Sequence, residues 1–170
     1  METEAYIAGR LIRVPKTSHV IEAYGSVEEA EALLARARVS LEKRGERDLA
    51  KRLERLQRAT RLIPVLLGGA AAPSDIRVLV EEAEKGLETP RGWSLAGCTP
   101  EDPDIALAIA RLRAAERSIA RAALEEHTIP ESLAGAASET ITRVAYALYK
   151  IRWRLCSDEA KAKSSKELLA

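Results

Sequence analysis

An apolar repeat near the end of the chain is the feature that most constrains the fold. Its members recur at intervals of three, four, three and four residues, and they are Ile141, Val144, Leu148, Ile151 and Leu155. This spacing places all five side chains on one face of an α-helix and is typical of the seam between packed helices. It predicts a helix from Pro130 to about Cys156, which would be roughly 40 Å long.

Four earlier segments carry similar amphipathic patterns. We expect helices over about 26–45, 46–67, 74–87 and 104–126. The chain has no phenylalanine, so its core must consist of Leu, Ala, Ile and Val, which suits close-packed helices. Short connections between long helices favour neighbours that run in opposite directions. The pattern therefore predicts an all-α, up-and-down five-helix bundle.

The ends of the chain lack this periodicity. We expect an N-terminal extended segment or loop over 1–25, because Pro15 would interrupt a helix there. Ser26, with Glu29 three positions later, forms a capping box that predicts the start of the first helix. The helical bundle domain then spans 26–156, and the polar residues 157–170 form a tail.

Charge and hydropathy exclude several classes of partner. The chain has 27 basic and 26 acidic residues, and this balance is atypical of proteins that bind nucleic acids or membrane surfaces. The acidic start lacks the apolar core of a signal peptide, and no apolar run is long enough to span a bilayer. These features predict a cytoplasmic protein whose two cysteines, Cys98 and Cys156, are free thiols.

No metal site is predicted. The two cysteines match no known metal-ligand spacing. A di-iron centre in a helical bundle needs Glu-x-x-His, but Leu124 precedes His127 by three positions and Lys16 precedes His19 by three.

The fourth predicted helix carries a stripe of basic residues. Arg113, Arg117 and Arg121 recur every four positions, and like charges at this spacing are mildly destabilising unless an anion offsets them. Glu116 lies within the apolar face, where a lone carboxylate is costly, and it can reach Arg113 one turn away. Two interpretations remain open: a structural ion pair beside a solvated arginine stripe, or a phosphate site.

Several segments resemble the trimeric corrinoid adenosyltransferases. Residues 13–29 resemble the family's N-terminal motif, R-V-x-K, four residues, then V-E-A-Y-G-x-V-D-E, with no gap. Residues 93–99 resemble its F-x-L-P-G-G-S loop, and 113–117 resemble its R-R-A-E-R helix. A weaker similarity links 141–146 to the family's L-N-R-L-S-D.

This resemblance implies a fold, a reaction and an assembly. Family members are homotrimers of five-helix subunits, with each active site between neighbouring subunits. They transfer the 5′-deoxyadenosyl group of ATP to the cobalt of reduced cobalamin and release triphosphate. The resemblance thus implies a transferase whose substrates are ATP, bound with Mg²⁺, and cobalamin, and which holds no tightly bound metal.

The resemblance also assigns roles to individual positions. The implied catalytic residues are Arg113, Glu116 and Arg117. The implied ATP ligands are these two arginines together with Arg13, Lys16 and Thr142. Trp93 takes the position of the aromatic residue beneath the corrinoid, although simple loop packing also explains it. The implied interface or structural residues are Glu22, Glu28 and Arg143.

The chain also departs from the family pattern. The glycine-rich phosphate loop T-G-D-x-G-x-T would lie just before residue 5, and we expect this divergent member to lack it. Ala114, Thr142 and Tyr146 replace an arginine, an asparagine and an aspartate of the motifs. Three hypotheses follow: a working adenosyltransferase, a nucleotide- or corrinoid-binding protein without transfer, or a structural or partner-binding trimer.

Overall fold

The structure is a computed structural model that describes residues 1–92, 94, 96–158 and 161. In chain order its elements are β1 (Glu2–Ile7), β2 (Arg10–Pro15), α1 (His19–Lys43), α2 (Arg47–Leu67), α3 (Pro73–Glu84), α4 (Asp102–Leu124) and α5 (Glu131–Leu155). The five helices confirm the predicted helical bundle, to which the structure adds a two-stranded sheet that the all-α prediction did not include. In the described part of the chain, no helix is both long and apolar enough to cross a membrane.

The helices α1, α2, α4 and α5 form a four-helix bundle, and the short helix α3 packs against its outside. In the bundle α1 lies between α2 and α4, α5 also contacts both of these helices, and α3 packs on α2 and α5. Ser40, near the end of α1, donates a hydrogen bond to Glu101, which directly precedes α4. Ser18, directly before α1, donates one to Glu126, just after α4. The helices α1 and α4 are therefore antiparallel, as the up-and-down prediction requires.

The apolar repeat of α5 lies in the core as predicted. Ile141, Val144, Leu148 and Ile151 are fully buried, and Leu155 is partly buried at the helix end. The other helices contribute mainly Leu, Ala, Ile and Val to the same cluster. Burial of these side chains is the main force that stabilises the bundle.

The first helix begins at His19, so the prediction of a start at Ser26 is wrong. Ser18 caps the helix by accepting a hydrogen bond from the Val20 amide at 3.3 Å. A side chain at position 25 would meet no atom within 4 Å, so packing does not require the glycine inside the helix. The buried face of α1 has the heptad spacing from its first turn, and it consists of Val20, Ala23, Val27, Ala30, Leu34, Ala37 and Leu41.

The segment before α1 is a β-hairpin. Strands β1 and β2 pair antiparallel, and Ala8 and Gly9 at the turn both have positive φ angles of 48° and 78°. Two such residues make the turn that best matches the twist of paired strands. The amides of Ala8 and Gly9 also donate to the carbonyls of Leu67 and Gly68, which fixes the hairpin against the end of α2.

Several other helix boundaries differ from prediction by a few residues. The third helix ends at Glu84 rather than near 87, and α4 begins at Asp102 rather than 104. The earlier start of α4 places Pro103 in its first turn, where proline is tolerated. Glu101, directly before the helix, accepts hydrogen bonds of 2.6 Å from Ser40 and Arg44 at the end of α1. The predicted polar tail is described only at 157, 158 and 161.

The two cysteines form a disulfide, so the prediction of free thiols is wrong. Cys98 lies in the loop between α3 and α4, and Cys156 directly follows α5; their Cα atoms are 5.4 Å apart. The two residues are 58 positions apart in sequence. They meet because α4 and α5 are antiparallel, which returns the chain to the place where α4 began.

Candidate functional site

The centre of the candidate site is an ion pair on α4. Arg113 Nη1 donates to Glu116 Oε2 at 2.9 Å, across one helical turn. The exposed fractions of the two side chains are 41% and 23%. Glu116 is therefore only half-buried, and its arginine partner is Arg113, the residue one turn away that the sequence suggested.

Two side chains of α5 complete the cluster. Ser138 donates a hydrogen bond of 2.5 Å to Glu116 Oε1, and the hydroxyl of Thr142 accepts one of 2.9 Å from Arg113 Nη1. The Thr142 hydroxyl also lies 3.4 Å from Glu116 Oε1. The arginine is thus held from both helices, which limits the orientations that its remaining N–H groups can take.

The environment keeps Glu116 ionised. Burial alone would raise the pKa of Glu116, but the hydrogen bond from Ser138 and the hydrogen bond and charge of Arg113 outweigh it and lower the pKa. Arg113 therefore faces a carboxylate that remains negatively charged near neutral pH. The guanidinium of Arg113 is therefore held in one orientation by its contact with Glu116.

A mainly apolar cleft opens beside this cluster. It has a volume of about 470 Å³ and is lined by Gly92, Ile109, Arg113, Thr142, Ala145, Tyr146 and Tyr149. Tyr149 donates a hydrogen bond of 2.6 Å to the Gly92 carbonyl, which ties the loop between α3 and α4 to α5 at the cleft. An apolar cleft of this size with a cation at one side is suited to a small molecule that has a flat apolar part and an anionic part.

Sequence reasoning missed Ser138 and Tyr149. A signal for both was present, because Ser138, Thr142, Tyr146 and Tyr149 follow one another at intervals of four, four and three residues. Residues at these intervals share one face of a helix. That face flanks the apolar seam of α5, so its polar side chains meet α4 at the cleft.

The other arginines of α4 lie in different surroundings. Arg117 is exposed and has no hydrogen bond or ion pair within the described part of the chain. Arg121 lies near Glu22 on α1. The pKa of Glu22 is lowered, mainly by the hydrogen bond with His19, and the charge of Arg121 adds to this effect. Arg111 forms an ion pair of 2.6 Å with Glu29 on α1. Of these arginines, Arg113 lines the apolar cleft, and Arg117 and Arg121 are both exposed.

The structure does not bring Lys16 to these arginines within one chain. Lys16 lies two residues before Ser18, whose hydroxyl contacts Glu126 beyond the end of α4. Arg113 precedes Glu126 by 13 positions, which corresponds to about 20 Å along a helix. Arg13 precedes Lys16 on the same hairpin, and both side chains are exposed. A site that uses Lys16 and Arg113 together needs two chains.

Three further predicted site residues lie at the surface. Glu28 is exposed on α1 and forms no ion pair among the described residues, and Arg143 pairs with Glu139 on its own helix at 3.0 Å. Glu22 is also exposed, and because α1 starts early it belongs to a helix rather than to the extended segment. The predicted corrinoid contact, Trp93, lies outside the described residues.

One group of metal-ligating side chains occurs among the residues that the structure describes. Atoms of Cys98, Asp102 and Cys156 lie within 4.8 Å of one another. The two sulfurs are bonded to each other, and the Asp102 oxygens accept hydrogen bonds of 2.6 Å from Gly97 and Arg152. In this oxidised state the group does not fit a metal ion, since its sulfur ligands are already used.

Comparison with known protein families gives a match over most of the chain. The family model described as cobalamin adenosyltransferase matches residues 2–155, which includes both strands and all five helices. No curated protein and no solved structure matches the chain significantly.

Proposed function

Because the chain belongs to the cobalamin adenosyltransferase family, we propose that it transfers the 5′-deoxyadenosyl group of ATP to the cobalt of a reduced corrinoid and releases triphosphate. The observation that carries this proposal is the cluster of Arg113, Glu116 and Thr142 beside the apolar cleft. These side chains stand at the positions of the family's helix motifs, and they combine a fixed cation with an apolar surface.

The reaction explains why such a combination is useful. Cobalt attacks C5′ of ATP, the bond from C5′ to oxygen breaks, and the electron pair leaves on the triphosphate. Cations that contact the leaving group stabilise its growing charge. Arg113 and the exposed Arg117 are suited to this role, and Mg²⁺ would arrive with ATP. The apolar cleft would exclude water from the reacting groups.

We further propose that the active site forms between subunits of a homotrimer. Lys16 and Arg13 lie near one end of α4, and Arg113 lies near its middle. The three cations of one chain therefore cannot all contact the same triphosphate. A neighbouring subunit would supply the hairpin cations. Exposed apolar side chains at this end, such as Tyr6 and Leu11, are 51% and 61% accessible in the single chain and suit burial in such a contact. We place the protein in the cytoplasm.

A second candidate function is binding of a nucleotide or corrinoid without transfer. The Thr142 hydroxyl that replaces the family's asparagine already bonds to Arg113 and lies near Glu116, so it has less capacity to bind ATP. Ala114 and Tyr146 replace charged family residues. Each lost charged hydrogen bond weakens binding by about 1.5–3 kcal/mol, so we expect ATP affinity to be weak.

Calorimetric titration with Mg-ATP tests whether the cluster binds the nucleotide. We expect weak binding by the wild type that is lost in Arg113→Ala and Arg117→Ala. Arg111→Ala is the matched control, because this arginine lies on the same helix but pairs with Glu29 on another face. Binding that is lost equally in all three variants, or in none, would show that ATP does not use the cluster.

A further inference from the structure

The apolar cleft has an aromatic end and a cationic end. Tyr146 and Tyr149 line it on α5, and Arg113 lines it on α4. Thr142, which accepts the hydrogen bond from Arg113, precedes Tyr146 by four positions, so the ring lies about 6 Å further along α5. Arg117 follows Arg113 by one turn of α4 and is exposed. Because α4 and α5 are antiparallel where they meet, Arg117 lies on the side of Arg113 away from the rings.

A lysine holds the ring of Tyr146 in place. The Lys150 ammonium lies 5.1 Å from the centre of this ring, and it also donates a hydrogen bond of 3.0 Å to Glu84 at the end of α3. The Lys150 side chain is only 13% exposed, so it is engaged with the ring and the carboxylate rather than with the cleft. Tyr146 itself is 44% exposed, which leaves part of its ring accessible from the cleft.

The second tyrosine is held in a similar way. Its hydroxyl donates to the Gly92 carbonyl at 2.6 Å, and the Arg152 guanidinium lies 5.8 Å from the centre of the Tyr149 ring. Arg152 is in turn paired with the fully buried Asp102. Both rings are therefore positioned before a ligand arrives, which reduces the entropy that is lost on binding.

We propose that Tyr146 is a base-binding residue: the base of a nucleoside triphosphate stacks on its ring, and the phosphates extend past Arg113 towards Arg117. A nucleotide carries its base and its phosphates at opposite ends, as the cleft carries its rings and its cations. A corrinoid is much larger, and a cleft of about 470 Å³ suits the smaller ligand. This inference rests on the proposed function, which supplies the nucleotide as the ligand.

The lining of the cleft also predicts how it distinguishes bases. Of the described residues that line it, none is Asn, Gln, Asp or Glu, the side chains that pair with the edges of adenine and cytosine. Recognition by stacking depends mainly on the area of the ring system, because every base has a π face. We therefore expect ATP and GTP to bind with affinities within about threefold of each other, and both to bind more tightly than CTP.

Saturation-transfer NMR tests the stacking, because it detects weak binding and reports which ligand protons lie against the protein. With Mg-ATP and the wild type, we expect the base protons to receive more saturation than the ribose protons. Tyr146→Ala should lower the affinity for ATP by at least about fivefold, whereas Tyr146→Phe, which retains the ring, should stay within about twofold of the wild type. Equal ATP affinities of the wild type and Tyr146→Ala would overturn the inference.

Leu107→Ala is the matched control for the loss of an exposed apolar side chain. Leu107 is 45% exposed, close to the value for Tyr146, but it lies between Asp104 and Arg111, which both pair with α1. This control should bind ATP as the wild type does, and circular dichroism melts should show that both alanine variants are folded. An equal loss of ATP affinity in the two alanine variants would contradict a specific role of the ring.

Two fragments of ATP separate the two ends of the cleft. Adenosine has the base without the phosphates, and inorganic triphosphate has the phosphates without the base. Tyr146→Ala should weaken the binding of adenosine, measured by saturation transfer, and leave that of triphosphate, measured by phosphorus NMR, unchanged. Arg113→Ala should have the opposite effect. A loss of triphosphate binding in Tyr146→Ala as large as the loss of adenosine binding would overturn the inference.

An adenosylation assay with the wild type separates this inference from the proposed function. Nucleotide binding that depends on Tyr146 without adenosyl transfer would support the base-binding residue and contradict the transferase. Adenosyl transfer by a wild type whose ATP affinity does not depend on Tyr146 would support the transferase and overturn the stacking. A hydroxocobalamin affinity that falls in Tyr146→Ala while the ATP affinity stays unchanged would assign the ring to the corrinoid and also overturn it.

Discussion

Ser138 on α5 donates a hydrogen bond of 2.5 Å to Glu116 on α4, and Glu116 in turn holds Arg113 at 2.9 Å. The serine therefore acts on the candidate phosphate-binding arginine through a carboxylate. This relationship connects the packing of two helices to the electrostatics of the cleft. It also makes the ionisation of Glu116 a direct measure of whether the cluster is intact.

Ser138→Ala should raise the pKa of Glu116. Burial already favours the neutral acid, and the serine hydrogen bond is the largest effect that opposes it. Site-resolved NMR titration of the Glu116 carboxyl carbon measures this change, and Ser138→Thr should largely restore the wild-type value. An unchanged pKa in Ser138→Ala would mean that the serine does not contact Glu116.

Glu116→Ala should destabilise the fold by about 1–2 kcal/mol at neutral pH. A fully buried pair would cost about 3–5 kcal/mol, but the 41% exposure of Arg113 lets water solvate the unpaired guanidinium. The folded-state pKa of Glu116 is lowered. The electrostatic contribution is therefore present above the unfolded-state pKa and is lost as pH falls through the folded-state value.

Urea melts at several pH values measure this dependence. The difference between the wild type and Glu116→Gln, which keeps the side-chain size, should shrink as the pH falls below about 4. A difference that stays constant or grows under acidic conditions would show that the Glu116 charge does not stabilise the fold.

Asp102→Asn should destabilise the chain more strongly, by about 3–5 kcal/mol. Asp102 is fully buried, and its partner Arg152 is 8% exposed, so the substitution leaves a buried cation without its counter-charge. Asp104→Asn is the matched control, because Asp104 pairs with an arginine whose side chain is 69% exposed. The control should cost less than about 1 kcal/mol. Equal denaturant midpoints for the two variants would contradict this account.

Mixing two inactive variants tests whether the site needs two subunits. Lys16→Ala and Arg113→Ala should each abolish adenosyl transfer as homotrimers. Co-expressed in equal amounts, they should recover about a quarter of the wild-type activity, because about one interface in four then combines an intact lysine with an intact arginine. Light scattering should show trimers in every sample. No recovery in mixed trimers, or a monomeric wild type, would contradict a site shared between subunits.

The fold was largely predictable because helix packing leaves a periodic signal. The seam of α5 and the approximate bounds of α2 follow directly from apolar spacing. The start of α1 is harder to predict, because the capping box at Ser26 lies inside an apolar repeat that already begins at Val20. Local capping residues are weaker indicators than a heptad pattern that continues through them.

The candidate site was predictable only where two of its residues lie on the same helix, because their separation in sequence then determines whether they can meet. The pair of Arg113 and Glu116 follows from their separation of three residues. The disulfide and the buried Asp102–Arg152 pair depend on which helix ends meet in space, and nothing in the spacing of Cys98 and Cys156 indicates this. Ser138 and Tyr149 lay on a recognisable helix face, but their role depends on which face of α5 meets α4.

The most direct test of the central proposal is an adenosylation assay under reducing conditions. Wild-type protein is mixed with Mg-ATP and chemically reduced cobalamin, and adenosylcobalamin is measured by its light-sensitive absorbance while triphosphate is measured separately. We expect slow formation of the two products in equal amounts, abolished by Arg113→Ala and retained by Arg111→Ala. Absence of adenosylcobalamin from a trimeric wild type that binds ATP would contradict the transferase and leave nucleotide binding without transfer.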